Sequence, residues 1–223
     1  MRTLTKDLQQ EITPEKAVEL LMEGNRRFVN NLRINRNLLQ QVNETTQSQH
    51  PFAVIISCMD SRTSAELIFD QGLGDIFSIR IAGNVINEDI LGSAEFACKV
   101  VGAKVIMVLG HTSCGAITGA IGNVELGHLH FVTNKIKRCI PKKPIKTSDS
   151  NYNELVSTVT EDNVVLGISD LRTRSPILAE LELSQQIKIV GGVYDLSTGV
   201  VSFMDLPKVS LNKQSNLEYA VQN

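Results

Sequence analysis

The sequence has no tryptophan, few aromatic residues and no long apolar run. Aromatic residues make up 4% of its 223 positions, and the longest apolar segment, around residues 105–109, is only as long as a strand. A membrane-spanning helix needs about 20 apolar residues, so none is predicted. The polar N-terminus lacks the apolar core of a signal peptide. The net charge of −2 gives no general attraction to nucleic acid or anionic membranes. We therefore expect a soluble, cytoplasmic protein without nucleic-acid or membrane partners.

Cysteine is also scarce, and the chain has four: Cys58, Cys98, Cys114 and Cys139. A chain of this length buries enough surface to fold without disulfides. Thiols in a cytosolic protein are usually reduced, buried or bound to metal rather than paired. The length and the ordinary composition predict a single domain over residues 1–223.

The two ends of the chain differ from its centre. Thr13 is a suitable N-cap, Pro14 suits the first position of a helix, and the apolar residues that follow have helical spacing. Residues 1–35 are therefore predicted to form an N-terminal helical arm. The polar residues 36–50 are predicted to be a loop, and the polar residues 208–223 a tail.

The centre alternates between apolar strands and helices. FAVIIS, IFSIRIAG and KVIMVLGH are predicted strands, and TSAELIFDQG and ILGSAEFACKVVGA are predicted helices between them. Continuous apolar strands are buried on both faces, as in parallel sheets, and the alternation indicates right-handed crossovers. QIKIVGGVYDLSTGVVSFM predicts two further strands joined by a turn. The expected fold class is α/β, with a central, mostly parallel sheet flanked by helices.

Two short motifs follow two of these strands. Cys58 and Asp60 come after the first strand, and His111 and Cys114 come at the end of the third. Ligands bind beyond the carboxyl ends of parallel strands, and two thiolates with one imidazole suit zinc, with a fourth position left open. Each motif alone also fits an ordinary turn, with a surface carboxylate or a hydrogen-bonded histidine.

Taken together, CMDSRTSAELIFDQGLGDIFSIRIAGNV and GSAEFACKVVGAKVIMVLGHTSCGA resemble the β-class carbonic anhydrases. The ordered pair of motifs, Cys-x-Asp-x-Arg and His-x-x-Cys, is the most specific part. The resemblance is strongest over residues 49–119, and LLMEGNRRFV and IVGGVYDLSTGVVSF extend it over most of the chain. It implies a β-carbonic anhydrase-like fold and subunits assembled as homodimers or homotetramers, with N-terminal helices that wrap around the partner.

The resemblance also implies the chemistry of the site. Cys58, His111 and Cys114 would bind one zinc ion, which supplies hydroxide for the reversible hydration of carbon dioxide to bicarbonate and a proton. Asp60 and Arg62 would form a dyad beside the metal, since the guanidinium fork suits a bidentate carboxylate. Held by Arg62, Asp60 leaves the fourth zinc position open; released, it becomes the fourth ligand and closes the site.

Further positions are carried over from the family. Gln49 matches a substrate-binding glutamine and Phe77 an apolar pocket wall, while a loop role and core packing are their respective alternatives. The N–H of Gly115, at a helix start, would meet the developing negative oxygen. Arg80 and Tyr194 match an inhibitory bicarbonate pocket, but that pocket is incomplete because Ile55 replaces tryptophan. Phe96 stands where plant-like members have tyrosine.

Other functions remain to be weighed. The same zinc set serves hydrolases of carbonyl sulfide or carbon disulfide in this fold family. A non-catalytic regulator that binds zinc or bicarbonate is a second alternative, which the intact motifs disfavour. A purely structural zinc site would need a fourth thiol or imidazole nearby, where only Asp60 stands. No role in the reaction is predicted for four further candidates: Cys98, Cys139, His128 and His130.

Overall fold

The computed structural model describes residues 3–141 and 151–204. The predicted tail, residues 208–223, lies outside the described residues. The helices are α1 (Lys6–Glu11), α2 (Pro14–Val29), α3 (Leu38–Glu44), α4 (Ala65–Ile68), α5 (Glu88–Glu95), α6 (Gly115–Ile121), α7 (His130–Lys137), α8 (Tyr152–Arg174) and α9 (Pro176–Leu183). The strands are β1 (Ala53–Ser57), β2 (Ile76–Arg80), β3 (Val105–His111), β4 (Lys188–Tyr194) and β5 (Val201–Met204).

The five strands form one sheet in the order β2-β1-β3-β4-β5. β1 is parallel to β2 and β3, and β4 is parallel to β3, while β5 returns antiparallel. This confirms the predicted α/β class. Because β1 and β3 lie side by side in parallel, Cys58 and His111 emerge at the same edge of the sheet.

Burial along the strands follows the predicted pattern at the centre but not at the edge. Every residue of β1 and β3 is buried, as their continuous apolar runs predicted. β2 alternates between buried and more exposed positions, because it is the outer strand of this chain's sheet and has a single neighbour. The expectation that all three strands are buried on both faces is therefore wrong for β2.

The N-terminal helices pack on the sheet of their own chain. Thr13 caps α2 as predicted, accepting a hydrogen bond from the N–H of Lys16. Ala17 and Leu21 are fully buried against the core residues of α4. The predicted loop over residues 36–50 is corrected in part, since it contains α3, which begins after the N-cap Asn37.

Across residues 3–141 and 151–204, no helix combines the length and the apolar character needed to cross a lipid bilayer. The longest helix, α8, instead packs along β3 and β4 and buries apolar side chains on the core side, among them Val159, Val164 and Ile168.

Candidate active site

The first motif lies directly after β1. Cys58 is 5% exposed, and its carbonyl accepts hydrogen bonds from Thr63 Oγ1 at 2.9 Å and from Arg80 Nε at 3.2 Å. Arg80 Nη2 also donates to the carbonyl of Asp60. The turn after the strand is thus tied to the end of β2, which fixes the direction of the Cys58 side chain.

The second motif spans the end of β3 and the start of α6. His111 is the last residue of β3 and Cys114 is the N-cap of α6, with Ser113 between them at φ +55°. Gly110 allows α8 to approach the strand, since a Cβ there would lie 2.8 Å from Val164 Cγ2. The sharp turn brings the imidazole and the second thiol to the same side.

Cys58, His111 and Cys114 meet in one buried cluster, and their ligand atoms all lie within 4.8 Å of one another. His111 and Cys114 are each 1% exposed. His111 Nδ1 lies 2.8 Å from the carbonyl of Thr112, which fits a protonated Nδ1 and leaves Nε2 as the lone-pair donor. Nε2 is buried and has no hydrogen-bond partner among the described residues, as a metal ligand requires.

The three side chains perturb one another strongly. A hydrogen bond from the Cys114 thiol lowers the pKa of Cys58, against the opposing effect of burial. The same interaction raises the pKa of Cys114. Burial alone would lower the pKa of His111, but the nearby Cys58 thiolate outweighs it and raises that pKa. A divalent cation would remove the repulsion between two thiolates, so the cluster suits a bound metal.

Asp60 and Arg62 form a bidentate ion pair beside the cluster. Arg62 Nε donates to Asp60 Oδ1 at 2.9 Å and Nη2 donates to Oδ2 at 2.7 Å, while the backbone N–H of Arg62 reaches Oδ1 at 2.9 Å. These bonds from Arg62 lower the pKa of Asp60 well below its usual range, and His111 adds a smaller effect. The carboxylate is therefore ionised and turned toward the arginine.

Gln49 and Phe77 lie away from this cluster within the chain. Gln49 is exposed and precedes β1, whereas Cys58 follows it, and a strand of this length spans about 16 Å. Phe77 pairs with Val54 and lies three residues before the end of β2. Together with Phe96, it lines a cavity of about 580 Å³. Their roles in substrate binding stay predictions.

Gly115 lies next to the cluster, because it follows Cys114 and begins α6. It is exposed, and a Cβ built on it would meet nothing within 4 Å. As a residue of the first helical turn, its N–H has no partner within the helix. The N–H of Gly115 therefore makes no hydrogen bond within the helix, and it lies beside the cluster.

The residues of the incomplete bicarbonate pocket have other surroundings. Ile55 is fully buried in the core of the sheet. Arg80 binds the carbonyls of the turn after β1, as described above, and Tyr194 pairs with His111 in the sheet and is 6% exposed. The sequence did not predict that Arg80 holds the first motif through hydrogen bonds to the carbonyls of Cys58 and Asp60.

The four candidates without a predicted role lie outside the cluster. Cys98 is buried, and burial raises its pKa to about 12, as it does for the half-buried Cys139. His128 and His130 are exposed, and both rings contact Phe131. Their positions therefore give none of the four a part in the cluster.

The fold and the site define an α/β protein with a group of two cysteines and one histidine that can hold a metal at the carboxyl edge of a parallel sheet. Comparison with known proteins identifies the family. The family model described as carbonic anhydrase matches residues 53–201. The chain belongs to the β-class carbonic anhydrases, an enzyme family whose reaction is the interconversion of carbon dioxide and bicarbonate.

The relatives cover most of the chain. Carbonic anhydrase 2 of Mycobacterium tuberculosis is 37% identical over 83% of this chain and 90% of its own length. A carbonic anhydrase of Mycolicibacterium smegmatis is 35% identical over 84% and 92%. The solved β-carbonic anhydrase CafA of Aspergillus fumigatus is 28% identical, with a TM-score of 0.67 over 75% of this chain and 81% of its own.

Proposed function

We propose that this carbonic anhydrase hydrates carbon dioxide with one zinc ion held by Cys58, His111 and Cys114. The observation that carries the proposal is the buried cluster itself, with three ligand atoms within 4.8 Å and an unpartnered Nε2. Two sulfurs and one imidazole are a typical zinc set, and three protein ligands leave one position for catalysis. When bound, zinc would lower the pKa of a coordinated water and so supply the nucleophile that adds to the carbon of carbon dioxide.

Asp60 orients water and controls access. Its carboxylate stays ionised because Arg62 lowers its pKa, so it can accept a hydrogen bond from water in front of the cluster. Arg62 holds both carboxylate oxygens, at 2.9 and 2.7 Å, and so keeps Asp60 away from the fourth ligand position. Rotation away from Arg62 would let Asp60 occupy that position and exclude substrate.

Substrate contacts involve Gly115 and, from a second copy, Gln49 and Phe77. The N–H of Gly115, at the start of α6, would donate to the oxygen that becomes negative as bicarbonate forms. Gln49 and Phe77 lie away from their own chain's cluster, so contact with substrate from either of them requires another subunit. With these roles, the active unit would be a homodimer or a homotetramer built from such dimers.

Stopped-flow hydration of carbon dioxide by protein of measured zinc content tests the proposal. We expect turnover proportional to zinc content, and we expect His111→Ala to lose zinc and activity together. Wild-type protein with full zinc occupancy and no hydration activity would contradict the proposal. Turnover of carbonyl sulfide or carbon disulfide by the same sample would then indicate the hydrolase alternative, and inactivity toward all of them would indicate a regulator.

A further inference from the structure

The sulfur of Cys58 accepts a backbone hydrogen bond from a distant part of the chain. The N–H of Gly83 donates to Cys58 Sγ at 3.4 Å. Gly83 lies in the short turn after β2 and has φ +64°, a conformation that favours glycine. A Cβ on it would lie 2.7 Å from Ile136 Cδ1 and 3.1 Å from Ala116 Cβ. The turn is therefore pressed closely against α6 and α7, with its N–H directed at the thiol.

Asn163 on α8 holds this turn from the other side. Its Nδ2 donates to the carbonyl of Gly83 at 2.8 Å, and the residue is 4% exposed. The helix around it is tightly packed, since a Cβ on Gly167 would lie 3.1 Å from Val108 Cγ1 in β3. Helix α8 thus supports both motifs, because Val164 also lies against Gly110, the residue before His111.

We propose that Asn163 is a positioning residue of the metal site, which acts through Gly83 to keep an N–H aimed at Cys58 Sγ. A hydrogen bond to a thiolate withdraws electron density from the sulfur, so that a bound cation receives less charge and stays a stronger Lewis acid. This inference rests on the proposed function. It explains why a buried amide, which no step of the reaction touches, is tied to the carbonyl of Gly83.

The test compares two variants that each remove one buried amide of similar kind. Asn163→Leu keeps a side chain that branches at Cγ and removes the donor. The matched control is Gln9→Met, because the 3% exposed Gln9 donates to the carbonyls of Pro51 at 2.7 Å and Val101 at 3.2 Å. Both carbonyls precede strands β1 and β3, at the sheet edge opposite the cluster.

We expect Asn163→Leu to weaken zinc binding about 10- to 100-fold in chelator competition, because the turn at Gly83 would no longer hold Cys58 Sγ in position. In the cobalt-substituted protein, the thiolate-to-cobalt charge-transfer band should move to longer wavelength, because the sulfur has lost a hydrogen bond. The pH profile of kcat/KM should shift to higher pH. Gln9→Met should lower the thermal midpoint without changing the zinc affinity or the cobalt spectrum, so a merely structural role is distinguishable.

Two results would overturn the inference. One is a folded Asn163→Leu variant with wild-type zinc affinity and cobalt spectrum, and the other is an equal change in Gln9→Met. If Asn163→Leu does not fold, Asn163→Ala, which leaves room for water, is measured in the same way. Wild-type protein that binds neither zinc nor cobalt would instead refute the proposed function, so the two failures are separable.

Discussion

Replacement of Arg62 by alanine tests the contribution of the Asp60–Arg62 dyad to turnover without changing the candidate metal ligands. Arg62 makes three hydrogen bonds to Asp60, two from its guanidinium and one from its backbone N–H, and only the backbone bond survives the substitution. Asp60 is then free to rotate toward the cluster, where it would compete with water and substrate. We expect turnover to fall about 100-fold or more, the usual cost when a reacting group is misplaced by an ångström.

Stability and metal content should stay unchanged in Arg62→Ala. The Arg62 side chain is 55% exposed, and exposed ion pairs contribute little to folding. Stopped-flow assays, zinc analysis and thermal melts on the same sample therefore separate a catalytic from a structural effect. Arg62→Lys should recover only part of the activity, because lysine keeps the charge but lacks the bidentate fork.

A matched control is available on α2, where Lys16 forms an exposed pair with Glu19 at 3.1 Å. Lys16→Ala removes a similar surface cation away from the two motifs and should leave turnover unchanged. Near-normal turnover in Arg62→Ala with zinc retained would remove the dyad from the mechanism. Loss of zinc from that variant would mean that the pair serves the metal site itself.

Three further predictions concern stability and pH. Asp70→Asn should cost about 3–5 kcal/mol in urea unfolding, because it leaves Arg36, at 2.6 Å and 6% exposed, without its buried partner. Burial would raise the pKa of Asp70, but Arg27 and Arg36 outweigh this effect and lower that pKa below the usual value of 3.8. The ionised carboxylate therefore stabilises the folded protein above pH 3.8, and this stabilisation is lost as the pH falls through the lowered pKa. The free energy of unfolding of the variant should consequently depend less on acid pH than that of the wild type. Gly24→Ala should destabilise despite a helix-propensity gain of about 1 kcal/mol, because its Cβ would lie 1.7 Å from the Phe69 carbonyl oxygen; an unchanged melting temperature would contradict the packing of α2. Finally, kcat/KM should rise toward alkaline pH, because two thiolates reduce the acidity that the cation confers; a flat profile would contradict this.

The centre of the fold could be predicted because its signals are local. The apolar runs of β1 and β3 and the cysteine and histidine at their ends suffice to bring Cys58 and His111 to the same edge, once the strands are taken as parallel neighbours. The order of the strands depends on contacts between residues that are distant in sequence. The partial exposure of β2 results from its position at the edge of the sheet and cannot be read from its own sequence. Helix α3 was missed because its leucines, Leu38 and Leu39, are exposed and do not mark a core face.

The surroundings of the site could not be predicted, because they depend on contacts between distant residues. Asn163 lies 80 positions from Gly83 and is one of two asparagines in α8, and no sequence pattern distinguishes it. Arg80 was recognised as a family position, but its bonds to the carbonyls of the first motif depend on the register that sets it opposite Ser57. Local motifs therefore identify the candidate ligands, while the tertiary fold sets how those side chains are held.

The different burial of Cys58, Asp60 and Arg62 fits the two roles proposed for the first motif, metal binding and control of access. Cys58 is 5% exposed, whereas the side chain of Asp60 is 18% exposed and that of Arg62 is 55% exposed. The sulfur is in the interior, where electrostatic interactions with a cation are strong. The arginine is in solvent, where its ion pair is weak enough to break and re-form. Because Asp60 lies at the boundary between the two, the proposed movement of its carboxylate away from Arg62 would require no rearrangement of the buried core around Cys58.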